Sequence, residues 1–439
     1  MRADGFDVFI SYSRADWREA ADIEKLLSAA SLKTFFDRRE LAPGLPWVRA
    51  LEDAIGKSSV VIILIGARGF GNTQQYEREF AFYKQTRDPT FRIIPVLLPG
   101  TTDTPAGLLQ LLTWIDFSAA GKIADAPDEA ARLLKALRAD LVPDASATNI
   151  CPYRGLDAFR EEDSLFYFGR GRADDPSTPV GELVAKTRSN SFVMVVGRSG
   201  SGKSSLVFAG LIPALRRDHL ETFWHVISFR PGADPLRTLA ETFNVRREDE
   251  GVAGYASKIT DETARLRDGN TSLLGHVIRD YLAKADGKPD RLLLYVDQWE
   301  ELYAQASAAG TEERLVQQRR DVDKFIDILL AATQTAPVTI VATVRADFYD
   351  SLVRHPQLRS VLPAQQVNLS SIPRSELRIS ITEPARIAGL KFDPPSLVDR
   401  ILDDTGEDEG MLPLLQYALK ETFAYREGNV LTAASYERS

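Results

Sequence analysis

At 439 residues, 44% apolar and 26% charged, the chain has ordinary globular composition and room for roughly two to four domains. Its net charge of −8 gives no basic footprint, so nucleic acid is not expected as a partner, and a single cysteine, Cys151, excludes a disulfide framework or a multi-cysteine metal site. With four histidines, no signal-peptide pattern in MRADGFDVFI and no 18-residue apolar run, neither a structural zinc nor a membrane span is expected, and a cytoplasmic location follows.

Phe6 to Tyr12 (FDVFISY) predicts a buried strand, and Ser13 with Asp16 forms a capping-box pattern that opens a helix carrying Ile23, Leu26, Leu27 and Ala30 on one face. Further strands are expected at 33–36, 59–65, 91–98 and 112–117. Helices are expected from Pro46, with Trp47, Leu51 and Ile55 inward, and from Gln74 to Gln85, with Tyr76, Phe80 and Tyr83 on one stripe. Five strands alternating with helices predict an α/β fold, a parallel sheet of flavodoxin-like type covered on both faces.

Three stretches of this region, FDVFISYSRAD, FFDRRELAPGLPW with Pro43, Gly44 and Trp47, and the acidic helix after the third strand, resemble a Toll/interleukin receptor (TIR) domain over about residues 4–120. The resemblance implies either a signalling scaffold or an enzyme that cleaves nicotinamide from NAD with one glutamate. A carboxylate suits that chemistry because the reaction passes through an oxocarbenium-like ribose. In the family the glutamate follows an aromatic residue by four positions, often as G-x-W-x-x-x-E. Counted from Gly71, the pattern places Glu77 at the acid and Thr73 where the aromatic usually stands, with Glu79 as a rival. Read from periodicity alone, Glu77 and Glu79 are instead solvated charges on an amphipathic helix.

Residues 121–142 turn to Ala, Asp and Pro around a helix with Ala131, Leu134, Leu137 and Leu141, and PDASATN (143–149) reads as a flexible boundary. The next segment, NICPYRGLDAFREEDSLFYFGRGR, is dense in aromatics and arginines.

Then Ser191 to Ser205, SFVMVVGRSGSGKSS, runs from a six-residue apolar strand into G-x-x-x-x-G-K-[ST]. Gly197, Gly200 and Gly202, with Ser199, Ser201 and Ser205 between and after them, form a loop whose N–H groups can turn inward around phosphate oxygens. Lys203 supplies a point charge for the terminal phosphates, the Ser204 hydroxyl is placed to ligate magnesium, and a following helix, LVFAGLIPALRR, adds its dipole. RLLLYVDQWEEL (291–302) is a second buried strand ending in acids. Asp297 fits a magnesium carboxylate, and Glu300 or Glu301 a group that polarises attacking water. APVTIVATVRADFY (336–349) repeats the design with Arg345 at its tip, suited to the terminal phosphate, or else to a surface pair with Asp347.

PYRGLDAFREEDSLFYFGR, VDQWEEL, TVRADFY and GMLPLLQYAL, in that order, resemble the novel STAND family of signal-transducing ATPases over about residues 149–430. The resemblance implies that Phe168, Gly169 and Arg170 lie beside the adenine, with Gly171 in place of the usual Glu. It also implies a helical lid after residue 370 in which Pro413 packs on the base; the alternative for Pro413 is a helix start. The domains expected are therefore TIR at 1–120, helix and linker at 121–148, a P-loop NTPase α/β domain at 149–370, and at 371–439 a C-terminal helical lid with the start of a winged helix. The family usually continues into sensor repeats, which are missing here. Together the two resemblances imply an ATP/ADP switch, with Mg2+, that self-associates through both domains and turns on NAD cleavage. The setting they imply is bacterial antiphage defence, with a trigger, for instance a phage protein, sensed through the absent repeats. The alternatives are a non-catalytic TIR adaptor and a constitutive P-loop ATPase or kinase.

Overall fold

The computed structural model describes residues 5–36, 47–67, 72–88, 91–102, 105, 109, 112–138, 151–217, 222–244, 252–285, 289–304, 312–406 and 409–438. Pro43, Gly44, Pro46, Gly71 and the 143–149 boundary lie outside the described residues, as do the side chains of Trp47, Thr73, Tyr76, Glu79 and Tyr83.

In the N-terminal part, β1 (Phe6–Ser11), α1 (Trp17–Ala29), β2 (Thr34–Phe35), α2 (Trp47–Lys57), β3 (Ser58–Ile65), α3 (Asn72–Arg87), β4 (Arg92–Leu97), β5 (Ile115–Asp116) and α4 (Pro127–Arg138) follow in turn. The strands form one parallel sheet in the order β2-β1-β3-β4-β5. Side chains alternate across it, which is why β3 reads as an unbroken apolar run. Val60, Ile62 and Leu64 join Ile23, Leu27 and Leu133 on one face, while Val61, Ile63 and Ile65 meet Leu51, Ile55 and Ala81 on the other.

Three expectations change here. Of the expected strand 112–117, only Ile115 and Asp116 form the edge strand β5, with the Phe117 N–H donating to the Leu97 carbonyl just beyond it. Ser13 makes no side-chain cap bond, and a short turn, Arg14–Asp16, precedes α1. Among the described side chains of α3, Gln74, Glu77, Ala81 and Phe82 are buried and Phe80 is half-buried. Glu77 is 8% exposed, so it is not a solvated charge.

The second part opens with segment 151–168 and α5 (Pro179–Ser189), then β6 (Phe192–Gly197). The helix after β6 begins as α6 (Lys203–Ser205), passes through a π-helical turn (Leu206–Leu211) and continues as α7 (Ile212–Arg217), so the expected single helix is interrupted. Pro213 lacks the N–H that a regular turn would use there. Then come β7 (Trp224–Phe229), α8 (Pro235–Phe243), α9 (Val252–Arg267), α10 (Leu273–Lys284), β8 (Arg291–Val296), α11 (Glu301–Ala304), α12 (Glu312–Thr335), β9 (Val338–Arg345), α13 (Tyr349–Arg354), α14 (Pro356–Gln365) and β10 (Gln366–Leu369). All five strands are parallel, in the order β10-β6-β9-β8-β7. The chain therefore places β9 between the glycine-loop strand β6 and the acid-bearing strand β8.

A helical unit completes the chain: α15 (Arg374–Ile387), β11 (Lys391–Asp393), α16 (Leu397–Thr405), α17 (Leu412–Ala424), β12 (Val430–Thr432) and α18 (Ala433–Glu437). Tyr153, Phe159 and Phe166 belong to the core of this unit, and the Tyr153 hydroxyl donates to the Ile381 carbonyl at 2.7 Å. The aromatic segment ahead of β6 thus holds the lid against the sheet domain. Leu165, in the short helical turn Glu161–Phe166, packs instead against the N-terminal core beside α3.

The largest core of the sheet domain centres on Trp299, which is 0% exposed and meets Phe192 and Phe325 with ring centroids 6.1 and 5.8 Å apart. Trp299→Ala should lower stability by about 3–5 kcal/mol, seen as a lower denaturant midpoint, whereas Trp299→Phe should keep most of it.

Candidate functional site

Gly200 and Gly202 hold φ of +77° and +87°, a region that side chains disfavour, and so let the loop after β6 fold back over its own helix. The loop forms the floor of a cavity of about 400 Å3. Phe159, Phe166, Tyr167 and Phe168 line one side, and Leu412, Pro413 and Gln416 of α17 close the top. A β-carbon built on Gly200 would stand 3.3 Å from the Pro413 ring, so the lid helix sits directly on the loop. Pro413 stands at the start of α17, as the helix-start alternative expects, and lines the cavity.

At one end of the cavity, a single carboxylate gathers three hydroxyls. Asp297 follows β8 directly and is 5% exposed; its Oδ1 accepts from Ser204 Oγ at 2.8 Å, Tyr295 Oη at 2.6 Å and Thr343 Oγ1 at 2.9 Å. Burial pushes the Tyr295 hydroxyl well above the ordinary tyrosine range, so it stays a donor. The Ser204–Asp297 contact is the oxygen pair that a magnesium ion beside a bound phosphate requires, and both donors are hard. These residues fit the metal. Among the described residues no group of three His, Cys, Asp or Glu side chains could hold a metal ion.

The other residues expected at the site divide. Lys203 Nζ donates to the carbonyls of Gly197 and Arg198 at 2.9 and 2.8 Å; burial lowers its pKa, and Glu300 opposes that shift. Ser199, Ser201 and Ser205 line the cavity, and Ser205 Oγ also accepts from the Phe159 N–H at 3.1 Å. Glu300 lines the cavity, accepts from the Arg345 N–H at 3.2 Å and has its pKa raised by burial. Glu301 turns away, accepting from the Gly232 N–H at 3.0 Å. Arg345 both lines the cavity and makes a two-pronged pair with Asp347, at 3.1 and 2.7 Å. Arg170 is 4% exposed and donates to the carbonyls of Ser370 and Ser201 at 2.7 Å each. It braces the glycine loop. Gly169, at φ +89°, fits closely under α15, where a β-carbon would meet the Glu376 carbonyl at 2.9 Å.

In the N-terminal domain, strand order reverses between β1 and β3, the switch point where open α/β sheets keep ligands. Gln74 Nε2 reaches the carbonyls of Ser11 and Leu64 there, and Asp16 is buried against Gly66. Glu77 lies one turn along the same face of α3, also buried.

The family model for novel STAND NTPase 1 matches residues 152–439, more than half of the chain. The chain belongs to the novel STAND NTPase 1 family. The family model for the TIR domain matches residues 8–134. This STAND protein is therefore a signalling NTPase with a TIR effector domain, and its NTPase domain binds ATP or ADP. Solved structures similar to parts of it include the TIR domain of a Toll-related receptor of Hydra magnipapillata, 21% identical, covering 30% of this chain and 99% of that one with a TM-score of 0.24. Another is a Walker-type ATPase of Pyrococcus abyssi, 13% identical, covering 62% and 71% with a TM-score of 0.39. No curated protein matches. Among the described residues of the STAND protein, no helix is long and apolar enough to cross a membrane.

The sequence reading missed Tyr295, Thr343, Phe159, Tyr167 and Gln416 in the STAND module and Ser11, Asp16 and Gln74 in the TIR domain. Two of these left a trace: Tyr295 stands two residues before Asp297, on the same strand face, and Thr343, like Thr339, is a hydroxyl residue within the mostly apolar strand β9. For the STAND cavity, Lys203→Ala should remove most ATP and ADP affinity while the TIR fold persists. Undiminished binding by calorimetry would rule the loop out as the phosphate site.

Proposed function

We propose that this STAND protein is an ATP/ADP-switched signalling protein whose TIR domain cleaves the nicotinamide–ribose bond of NAD when copies self-associate. The observation that carries this reading is the burial of Glu77, a carboxylate one helical turn along α3 from Gln74, whose amide bonds the strand ends at the switch point of the TIR sheet. A charge out of water interacts strongly with a cation developing next to it. Glu77 is the residue that stabilises the ribosyl cation and helps deprotonate the attacking water. Glu77→Gln should therefore cost on the order of 100-fold or more in nicotinamide release from clustered protein, with the loss in turnover rather than in NAD binding and with ATP binding unchanged. Equal release by parent and variant would remove Glu77 from the chemistry. No release from the clustered parent would favour the adaptor reading.

On the NTPase side, Lys203 and the loop N–H groups hold the phosphates, and Ser204 with Asp297 would hold magnesium, which neutralises phosphate charge when bound. Glu300, not Glu301, is the group that orients water, because it alone of the two faces the cavity. A residue in this role works ionised, and burial has raised its pKa from the ordinary 4.5. ATP hydrolysis should accordingly fall as pH drops through the raised value, with the acid limb displaced upward from that of an ordinary glutamate. Glu300→Gln should abolish hydrolysis and its acid limb while nucleotide stays bound; a parent-like rate would place the base elsewhere.

Coupling between the modules is supported by one stretch of chain. Leu165 packs on the TIR core, and the next three residues, Phe166, Tyr167 and Phe168, line the nucleotide cavity.

A further inference from the structure

Arg230 stands just past the C-terminal tip of β7, the strand beside β8, and neither motif nor expectation marks it. Its Nε lies 3.4 Å from Asp297 Oδ2, the carboxylate oxygen opposite the one that takes the three hydroxyls. With the Gln298 amide oriented to satisfy its neighbours, Arg230 Nη2 also donates to Gln298 Oε1 at 3.2 Å, and the Gln298 amide nitrogen donates to Glu301 at 3.0 Å. Two residues on, the Gly232 N–H donates to Glu301 Oε2. The loop after β7 is thus fastened to the stretch Asp297–Glu301 through several polar contacts. Gln298 itself holds φ +57°, a left-handed conformation that costs a residue with a side chain energy and is maintained by its N–H bond to Thr343 Oγ1 at 3.1 Å.

A divalent ion taken by Asp297 would add two positive charges a few ångströms from the Arg230 guanidinium. Like charges so close repel, and the Arg230 side chain is 55% exposed, so water is at hand for it to turn into. We propose that Arg230 and the nucleotide-borne metal compete for Asp297: Arg230 holds the carboxylate without metal, and metal binding releases it together with the loop 230–233. This rests on the assignment of Asp297 to the metal. The release has a fixed limit, because Asp234 caps α8 by accepting from the Arg237 N–H at 3.2 Å. The loop therefore reports whether the metal site is filled, at the exposed edge of the NTPase sheet.

The test uses the full chain saturated with ADP, with Mn2+ as the probe and free Mn2+ read by electron paramagnetic resonance. Arg230→Gln should tighten Mn2+ binding about threefold to fivefold, a modest factor because a half-exposed pair is screened by solvent. Arg230→Lys should fall between the two, and Asp297→Asn should lose the site. Amide exchange of residues 231–233 in the parent should quicken when Mg2+ is added to the ADP complex. Parent-like Mn2+ affinity in Arg230→Gln, with Asp297→Asn defective, would overturn the competition alone. Weaker binding in Arg230→Gln would overturn it too and assign Arg230 to the phosphates. Parent-like binding in Asp297→Asn would withdraw the metal assignment itself. Should Arg230→Gln fail to fold, an unchanged exchange rate at 231–233 in the parent would be enough to reject the proposal.

Discussion

The NTPase domain depends on how the Asp297 carboxylate is given partners while almost out of water. An unpaired buried carboxylate would be prohibitively costly, and a single salt bridge repays that cost poorly. Here three neutral hydroxyls meet one oxygen, from the start of the loop helix (Ser204), from the same strand (Tyr295) and from the strand between (Thr343), while Arg230 lies 3.4 Å from the other oxygen. Each hydrogen bond to a charged group contributes more than a neutral one, about 1.5–3 kcal/mol. Because the donors come from three elements, the same oxygen that serves the site fixes β8, β9 and the loop helix in register. Stability and function share one atom.

What could be read in the sequence was whatever lies within one run of chain. The strand Phe192–Gly197 appears where its apolar run predicts it, and so do β8 and β9 with Asp297 and Arg345 at their ends. Strand order was not legible, and strand order is what makes Thr343 a neighbour of Asp297 and brings Arg230 across from β7. The choice between Glu300 and Glu301 was open for the same reason: adjacent helical residues point about 100° apart, and only the placement of Gly232 shows which one is turned away. Helix α3 differs. Besides Ala81 and Phe82 it buries Gln74 and Glu77, two polar side chains that hydrophobic periodicity does not place inward. Buried polar groups on a core-facing helix are the kind of local exception expected where a site is being built.

The two domains meet at a turn whose geometry lets one short segment serve both. Glu161–Phe166 is a tight helix with three residues per turn, so successive side chains point about 120° apart. Leu165 faces the TIR core, Phe166 enters the lid core, and Tyr167 just beyond reaches the nucleotide cavity. The turn is held at its start by the Arg160 N–H donating to Asp163 at 2.8 Å and by Arg216 donating to Glu161 at 3.1 Å. The residue just ahead of it, Phe159, donates its N–H to Ser205 of the glycine-loop helix. Pinned at that end, the turn sets Leu165 on the TIR core two residues before Tyr167 in the aromatic wall of the cavity, with Phe166 of the lid core between them.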